Sequence, residues 1–197
     1  ELDRFHVLAH DYGDTVAQEM LARQNAGSGK GEWLSCLLLN GGLFPETHRA
    51  LLSQRLLLSP LGFIFRHALN KASLRKSFDR VFGAETRASN EEMDAFWALF
   101  TRDGGRRNLH RLIHYMNDRL ANRQRWVDAL RDARCPIGLI NGSVDPISGE
   151  HMVQRFEELV GKEHFIQHLP AIGHYPQVEA PNQVSEAYGR FLQSVGL

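Results

Sequence analysis

The sequence predicts an α/β chain: a mostly parallel sheet whose strands alternate with helices, interrupted by one long helical block. Three observations carry that expectation. Apolar runs at residues 5–9, 33–39, 137–140 and 164–169 have the length and composition of buried strands, and helical spacing follows the first, third and fourth. From Pro45 to about Leu130 strand-like runs vanish. Finally, three strand-like runs end in loops that carry Asp11, Asp145 and His174, and open parallel sheets place their ligands at the C-terminal ends of their strands.

The first strand, Phe5-His6-Val7-Leu8-Ala9, runs straight into His10-Asp11-Tyr12-Gly13 and a helix over 14–23. Ala9 and Gly13 flank Asp11 at minus two and plus two, the small residues that a sharp strand-to-helix elbow requires on either side of a nucleophile. Serine commonly occupies that position; here a carboxylate does, and a carboxylate attacks an electrophilic sp3 carbon to give an ester of the enzyme. Asp11 as a simple helix N-cap is the competing reading.

Residues 26–31, Ala-Gly-Ser-Gly-Lys-Gly, form a glycine-rich connection. A phosphate loop is excluded because the strand and helix around it come in the wrong order. The strand at 33–39 follows. The block 45–130 is then too long for an ordinary crossover and is expected to be an inserted helical cap. Within it Met93, Phe96, Trp97 and Phe100, and again Leu109, Leu112, Ile113 and Met116, recur at helical spacing. Its arginines (Arg102, Arg106, Arg107, Arg111, Arg119, Arg123, Arg125) are expected to form a solvated face partnered by Asp103, Asp118 and Asp128, with recognition of an anionic substrate or partner as the competing reading.

Alternation resumes with the strand at 137–140, whose loop Asn141-Gly-Ser-Val-Asp145-Pro presents Asp145, and a helix over 149–160. The strand at 164–169 leads to Ile172-Gly-His174-Tyr-Pro, and a helix over 182–194 closes the chain. The expected organisation is 1–44 core, 45–130 cap and 131–197 core. Nucleophile, acid and histidine thus occur in the order Asp11, Asp145, His174.

Lys and Arg number 23, as do Asp and Glu, so net charge offers no bulk attraction to nucleic acid. The two cysteines, Cys36 and Cys135, read as buried thiols of a reducing compartment. No apolar run approaches the ~18 residues of a membrane span. A cytoplasmic location follows as an expectation, although a targeting signal upstream of Glu1 would not be seen.

Four stretches together carry a family resemblance: His10-Asp11-Tyr12-Gly13-Asp14 with Val16-Ala17-Gln18-Glu19; Asn40-Gly41-Gly42-Leu43-Phe44-Pro45-Glu46-Thr47-His48-Arg49; Arg125-Trp126-Val127 with Ala129-Leu130; and His174-Tyr175-Pro176-Gln177. The chain resembles the epoxide hydrolase and haloalkane dehalogenase branch of the α/β-hydrolase superfamily, and within it the mesoderm-specific transcript group. The resemblance implies an α/β-hydrolase fold, a triad of Asp11, Asp145 and His174, no cofactor and no metal, and a small apolar electrophilic substrate. It implies roles at the reacting centre for the Tyr12 backbone N–H, for Tyr115 as a phenol over an epoxide oxygen, and for Asn40 as a donor to a leaving group. Glu46 is a second choice for the acid. The expected second cap tyrosine has no counterpart between Pro45 and Gly83, and Tyr12 stands where dehalogenases carry tryptophan.

Such hydrolases place about four strands before the elbow strand. The expectation is therefore that this sequence is the C-terminal portion of a longer or split protein, with an N-terminal segment or second chain completing the sheet. Two further readings stay open: a non-catalytic, hydrolase-like binding protein, and a serine esterase acting through Ser143.

Overall fold

The computed structural model describes residues 2–196, the side chains of 66–68 excepted. Strand β1 (Arg4–His10), helix α1 (Tyr12–Asn25) and strand β2 (Glu32–Leu39) form the first unit. Helices α2 (Leu52–Leu58), α3 (Gly62–Ala68), α4 (Lys71–Val81), α5 (Asn90–Thr101), α6 (Leu109–Leu112), α7 (Tyr115–Ala121) and α8 (Arg123–Arg131) follow with no intervening strand. The third part runs through β3 (Ile137–Gly142), α9 (Glu150–Leu159), β4 (Phe165–Leu169), α10 (Pro176–Glu179) and α11 (Pro181–Ser194).

The four strands pair in sequence order, all parallel, so their C-terminal ends line one side of the sheet. Pleating sorts the side chains. Cys36 and Leu38 of β2 join Leu139 of β3 in a core covered by α1, α8 and α9, whereas Leu37, Leu39 and Ile140 face α11 on the opposite side. Strands buried on both faces read as continuous apolar runs, which is why 33–39 is legible as a strand. A third cluster, Phe78, Val81, Phe82, Ala88, Met93 and Ile147, seats α4 and α5 on the β3–α9 loop.

One local expectation is corrected, and two further details shape the site. The period linking Leu109 to Met116 does not mark one helix: α6 ends at Leu112, and the Met116 N–H bonds to Ile113 rather than to a residue four back, so the chain tightens and restarts at Tyr115. Residues Arg102–Asn108 form 3₁₀ turns, broken where Asp103 (φ 49°) and Gly104 (φ 73°) take left-handed backbone. Strand β1 is half-open, with Leu8 49% exposed, because it forms an edge of the sheet among the described residues.

Candidate active site

Asp11 stands between β1 and α1 with φ 52° and ψ −109°, and its side chain caps nothing. A non-glycine residue held at positive φ is strained, and helix capping does not require it. The helix-cap reading therefore fails on geometry, while the sharp elbow fits. A Cβ on Gly13 would meet that of Ala9 at 3.7 Å, an ordinary contact, so the two small residues pack against each other across the turn. The Tyr12 N–H opens α1, where no carbonyl of the helix can reach it.

Asp145 and His174 arrive from β3 and β4. His174 Nδ1 lies 2.7 Å from Asp145 Oδ2, and His174 Nε2 lies 3.8 Å from Asp11 Oδ2, an ion-pair contact too long for a hydrogen bond. The three predicted residues thus converge, with the imidazole between two carboxylates. Asp145 is fixed by donors on every side: Ile147 N–H at 2.8 Å, and Ser148 N–H at 3.2 Å with Ser148 Oγ–H at 2.7 Å. Asn40, at φ 33°, donates through Nδ2 to Asp145 Oδ2 (3.1 Å) and to the Gly142 carbonyl (3.0 Å) and accepts the Gly142 N–H (2.7 Å). Both its amide hydrogens are engaged, so Asn40 orients the acid and the next strand end rather than facing a leaving group.

The histidine loop is held just as closely. The His174 N–H donates to the Val81 carbonyl at 2.8 Å, and the His174 carbonyl receives His10 Nε2 at 2.7 Å. Glu179 accepts the N–H groups of Gly173 (2.9 Å) and Tyr175 (2.9 Å), and also the Gly83 N–H (2.7 Å) and Thr86 hydroxyl (2.6 Å) from the helical block. Gly173 has to be glycine because any Cβ would collide with the Val81 carbonyl.

Electrostatics follow from this packing. Burial favours neutral His174, but the charges of Asp145 and Asp11 prevail and raise its pKa to about 10. Burial likewise pushes Asp11 and Asp145 up, and the His174 imidazolium more than offsets it, holding both below the ordinary carboxylate range. His10 is lowered by burial and by the His174 charge, so it stays neutral and donates as drawn.

The other candidates are placed as follows. Tyr115, half-buried on α7, packs its ring 4.9 Å from that of Tyr12. Burial and the Asp11 charge raise its phenol to about 12, so the phenol keeps its proton. Glu46 lies away from His174, in ion pairs with Arg123 and Arg155, and is no alternative acid. Ser143 sits in the β3–α9 loop with no left-handed elbow and no histidine partner. Cys36 and Cys135 are free thiols.

The arginine face divides. Arg125 finds its acid outside the block, at Glu19, Arg123 finds Glu46 at the start of the block, and Arg106 lies over Trp97. Arg119, expected in solvent, is instead 2% exposed beside Asp11. Sequence reasoning missed it, together with His48 and Asp14. The signal available was its place four residues after Tyr115, on the same helix face.

No helix among the described residues is long and apolar enough to cross a membrane. No family model matches the chain. The mesoderm-specific transcript homolog protein of Bos taurus is 38% identical over 199 residues, covering 97% of this chain and 58% of that protein. Among solved structures, the haloalkane dehalogenase DbeA of Bradyrhizobium elkani superposes with a TM-score of 0.75 at 17% identity, covering 96% of this chain and 67% of that one. A thermophilic esterase of Thermogutta terrifontis gives 0.73 at 15% identity, covering 99% and 66%. This chain therefore spans under two thirds of the length of its bovine relative, and the two structures at these identities speak to fold alone. A relative aligned over nearly the whole chain and a sheet that superposes on two hydrolases agree: the chain has the α/β-hydrolase fold and is related to that superfamily.

Proposed function

We propose that the protein is a hydrolase in which Asp11 attacks carbon to form a covalent ester, and that it acts in the manner of an epoxide hydrolase. The observation that carries this reading is the strained elbow at Asp11, with the imidazole of His174 3.8 Å from its carboxylate and Asp145 behind.

In the resting enzyme Asp11 is ionised and His174 is protonated between two carboxylates. As an Asp11 oxygen bonds to the substrate carbon, the carbon–oxygen bond of the epoxide breaks, and the alkoxide takes a proton from the Tyr115 phenol. Ester formation removes the Asp11 charge, and with it part of what holds the proton on His174. The proton passes toward the tyrosinate, leaving neutral His174 free to take a proton from water, which attacks the ester carbonyl. The Tyr12 N–H stabilises the resulting oxyanion. Asp145 holds the ring orientation and stabilises the imidazolium throughout.

The helices over 45–130 act as the cap, a role favoured by the way α4, α5 and α7 gather over the strand ends that bear Asp11 and His174. The open edge of β1 takes up a further strand, from an N-terminal segment or a second chain, which favours a complete sheet in the working protein. Halide displacement is the second reading. It draws on the same nucleophile, but Tyr12 has no ring N–H and is 43% exposed.

The test is His174→Gln. It leaves attack intact and removes the base, so intact-protein mass spectrometry with a panel of epoxides and haloalkanes is expected to show the added mass of the ester. An unmodified variant, across substrates that the wild type turns over, rules out the mechanism.

A further inference from the structure

Arg119 is the largest side chain among the most deeply buried ones, and among the described residues no carboxylate forms an ion pair with it. Its Nε donates to Thr15 Oγ1 at 2.7 Å, Nη2 to the Asp11 carbonyl at 3.3 Å, and the guanidinium carbon lies 4.6 Å from the centre of the Tyr115 ring. Nη1 has no acceptor. A guanidinium is always charged, and buried charges are almost always paired. This one is hydrogen-bonded only to neutral groups, feels the Asp11 charge without forming an ion pair to it, and is left with a spare donor.

The surroundings are equally unfilled. Both ring nitrogens of His48 and both carboxyl oxygens of Asp14 are buried without partners. Two consecutive glycines form the wall between them: a Cβ on Gly42 would collide with Arg119 Nη1 and stand 2.9 Å from His48 Nδ1, and one on Gly41 would collide with the Asp14 carboxyl. A cavity of about 130 Å3 opens beside them, bounded by Arg119 and His48 and by the apolar side chains of Pro45, Leu58, Met116 and Leu120.

The protonation of these groups gives the chamber a sign. Burial and the Arg119 charge lower His48 to about 4, so it is neutral with one N–H to give. Burial and the Asp11 charge push Asp14, behind the glycine wall, well up. The groups that face the cavity, guanidinium and imidazole N–H, are both donors. Water fills polar cavities generally, but it does not neutralise a buried cation. A carboxylate supplies both the charge and the lone pairs, and its hydrocarbon suits the apolar side of the cavity.

Resting on the hydrolase reading above, we infer that Arg119 and His48 form a subsite for the carboxylate of the substrate. The substrate class is then a short-chain acid with an electrophilic carbon near its carboxylate, an epoxy acid or a 2-halo acid. Arg119 joins the subsite to the reacting centre, because its other nitrogen is bonded to the nucleophile's own carbonyl.

Binding and turnover separate this inference from the reading on which it rests. In Asp11→Asn, where no ester forms, calorimetric titration is expected to show propionate binding at least tenfold more tightly than propionamide. Arg119→Gln in that background abolishes the preference. His48→Asn weakens it several-fold, and Arg119→Lys keeps part of it should Arg119→Gln fail to fold. Equal affinity for acid and amide, or a preference that survives every folded Arg119 and His48 variant, overturns the subsite. If neutral epoxides are hydrolysed while propionate does not bind, the subsite falls and the hydrolase stands. If propionate binds through Arg119 while no electrophile forms an ester, the subsite stands and the hydrolase falls.

Discussion

Gly142 and Gly173 meet backbone to backbone: a Cβ on Gly142 would collide with the Gly173 carbonyl. That approach sets the spacing of the β3 and β4 loops, and through them the 2.7 Å contact between Asp145 and His174. Gly142→Ala is expected to push the loops apart, at a cost of about 1–3 kcal/mol in stability, as overpacking of a tight site does. Thermal unfolding measures the cost. Turnover is expected to fall further than the lost folded fraction explains, because acid and base separate.

Asn40→Ala tests the role assigned to that side chain. It strands the Gly142 N–H and removes a donor from Asp145, both in the interior, for a loss of about 1–3 kcal/mol. In single-turnover kinetics ester hydrolysis is expected to slow while ester formation holds its rate. A slowed formation step would return Asn40 to the leaving group.

The shifts at Asp11 and His174 place the pH dependences of the two half-reactions in different ranges. Asp11 is held below the ordinary carboxylate range, so ester formation is expected to persist well into acid. Hydrolysis needs neutral His174 and rises with pH, with a midpoint below the resting value of about 10 because the ester has removed the Asp11 charge. Quenched-flow mass spectrometry is expected to find ester accumulating at low pH and disappearing at high pH. Stability follows the sign of the resting shift. The folded pKa lies above the unfolded value of about 6.5, so the His174 contribution is complete below that value and is lost as pH rises toward 10. Thermal midpoints are expected to fall across that interval.

The open edge of β1 gives a fourth expectation. An apolar edge strand pairs with whatever strand it meets. The chain expressed over residues 1–197 is expected to self-associate, and Leu8→Lys, a charge on an exposed edge position, is expected to raise the monomer fraction in analytical ultracentrifugation. A wild-type chain that is already monomeric overturns the proposed pairing.

The residues that were legible in the sequence are those whose role depends on local pattern. Asp11 stands out because an elbow needs small residues two positions away on each side. Strand β2 stands out because burial on both faces leaves no polar residue from Cys36 to Leu39. Arg119 and His48 were illegible because their burial is decided by a packing partner far along the chain, the Thr15 hydroxyl and the bare backbone of Gly42. Glu179 was equally silent. A lone acid after a proline reads as surface until four donors are seen to converge on it.

That convergence has a mechanical consequence. Glu179 and the Val81 carbonyl fasten the segment between α4 and α5 to the loop bearing His174, so this end of the helical block cannot lift without dragging the base along. On the hydrolase reading, any displacement that reaches the riveted end moves the base with it, so the same four donors that hold the loop also tie the state of the cap to the state of the catalytic histidine.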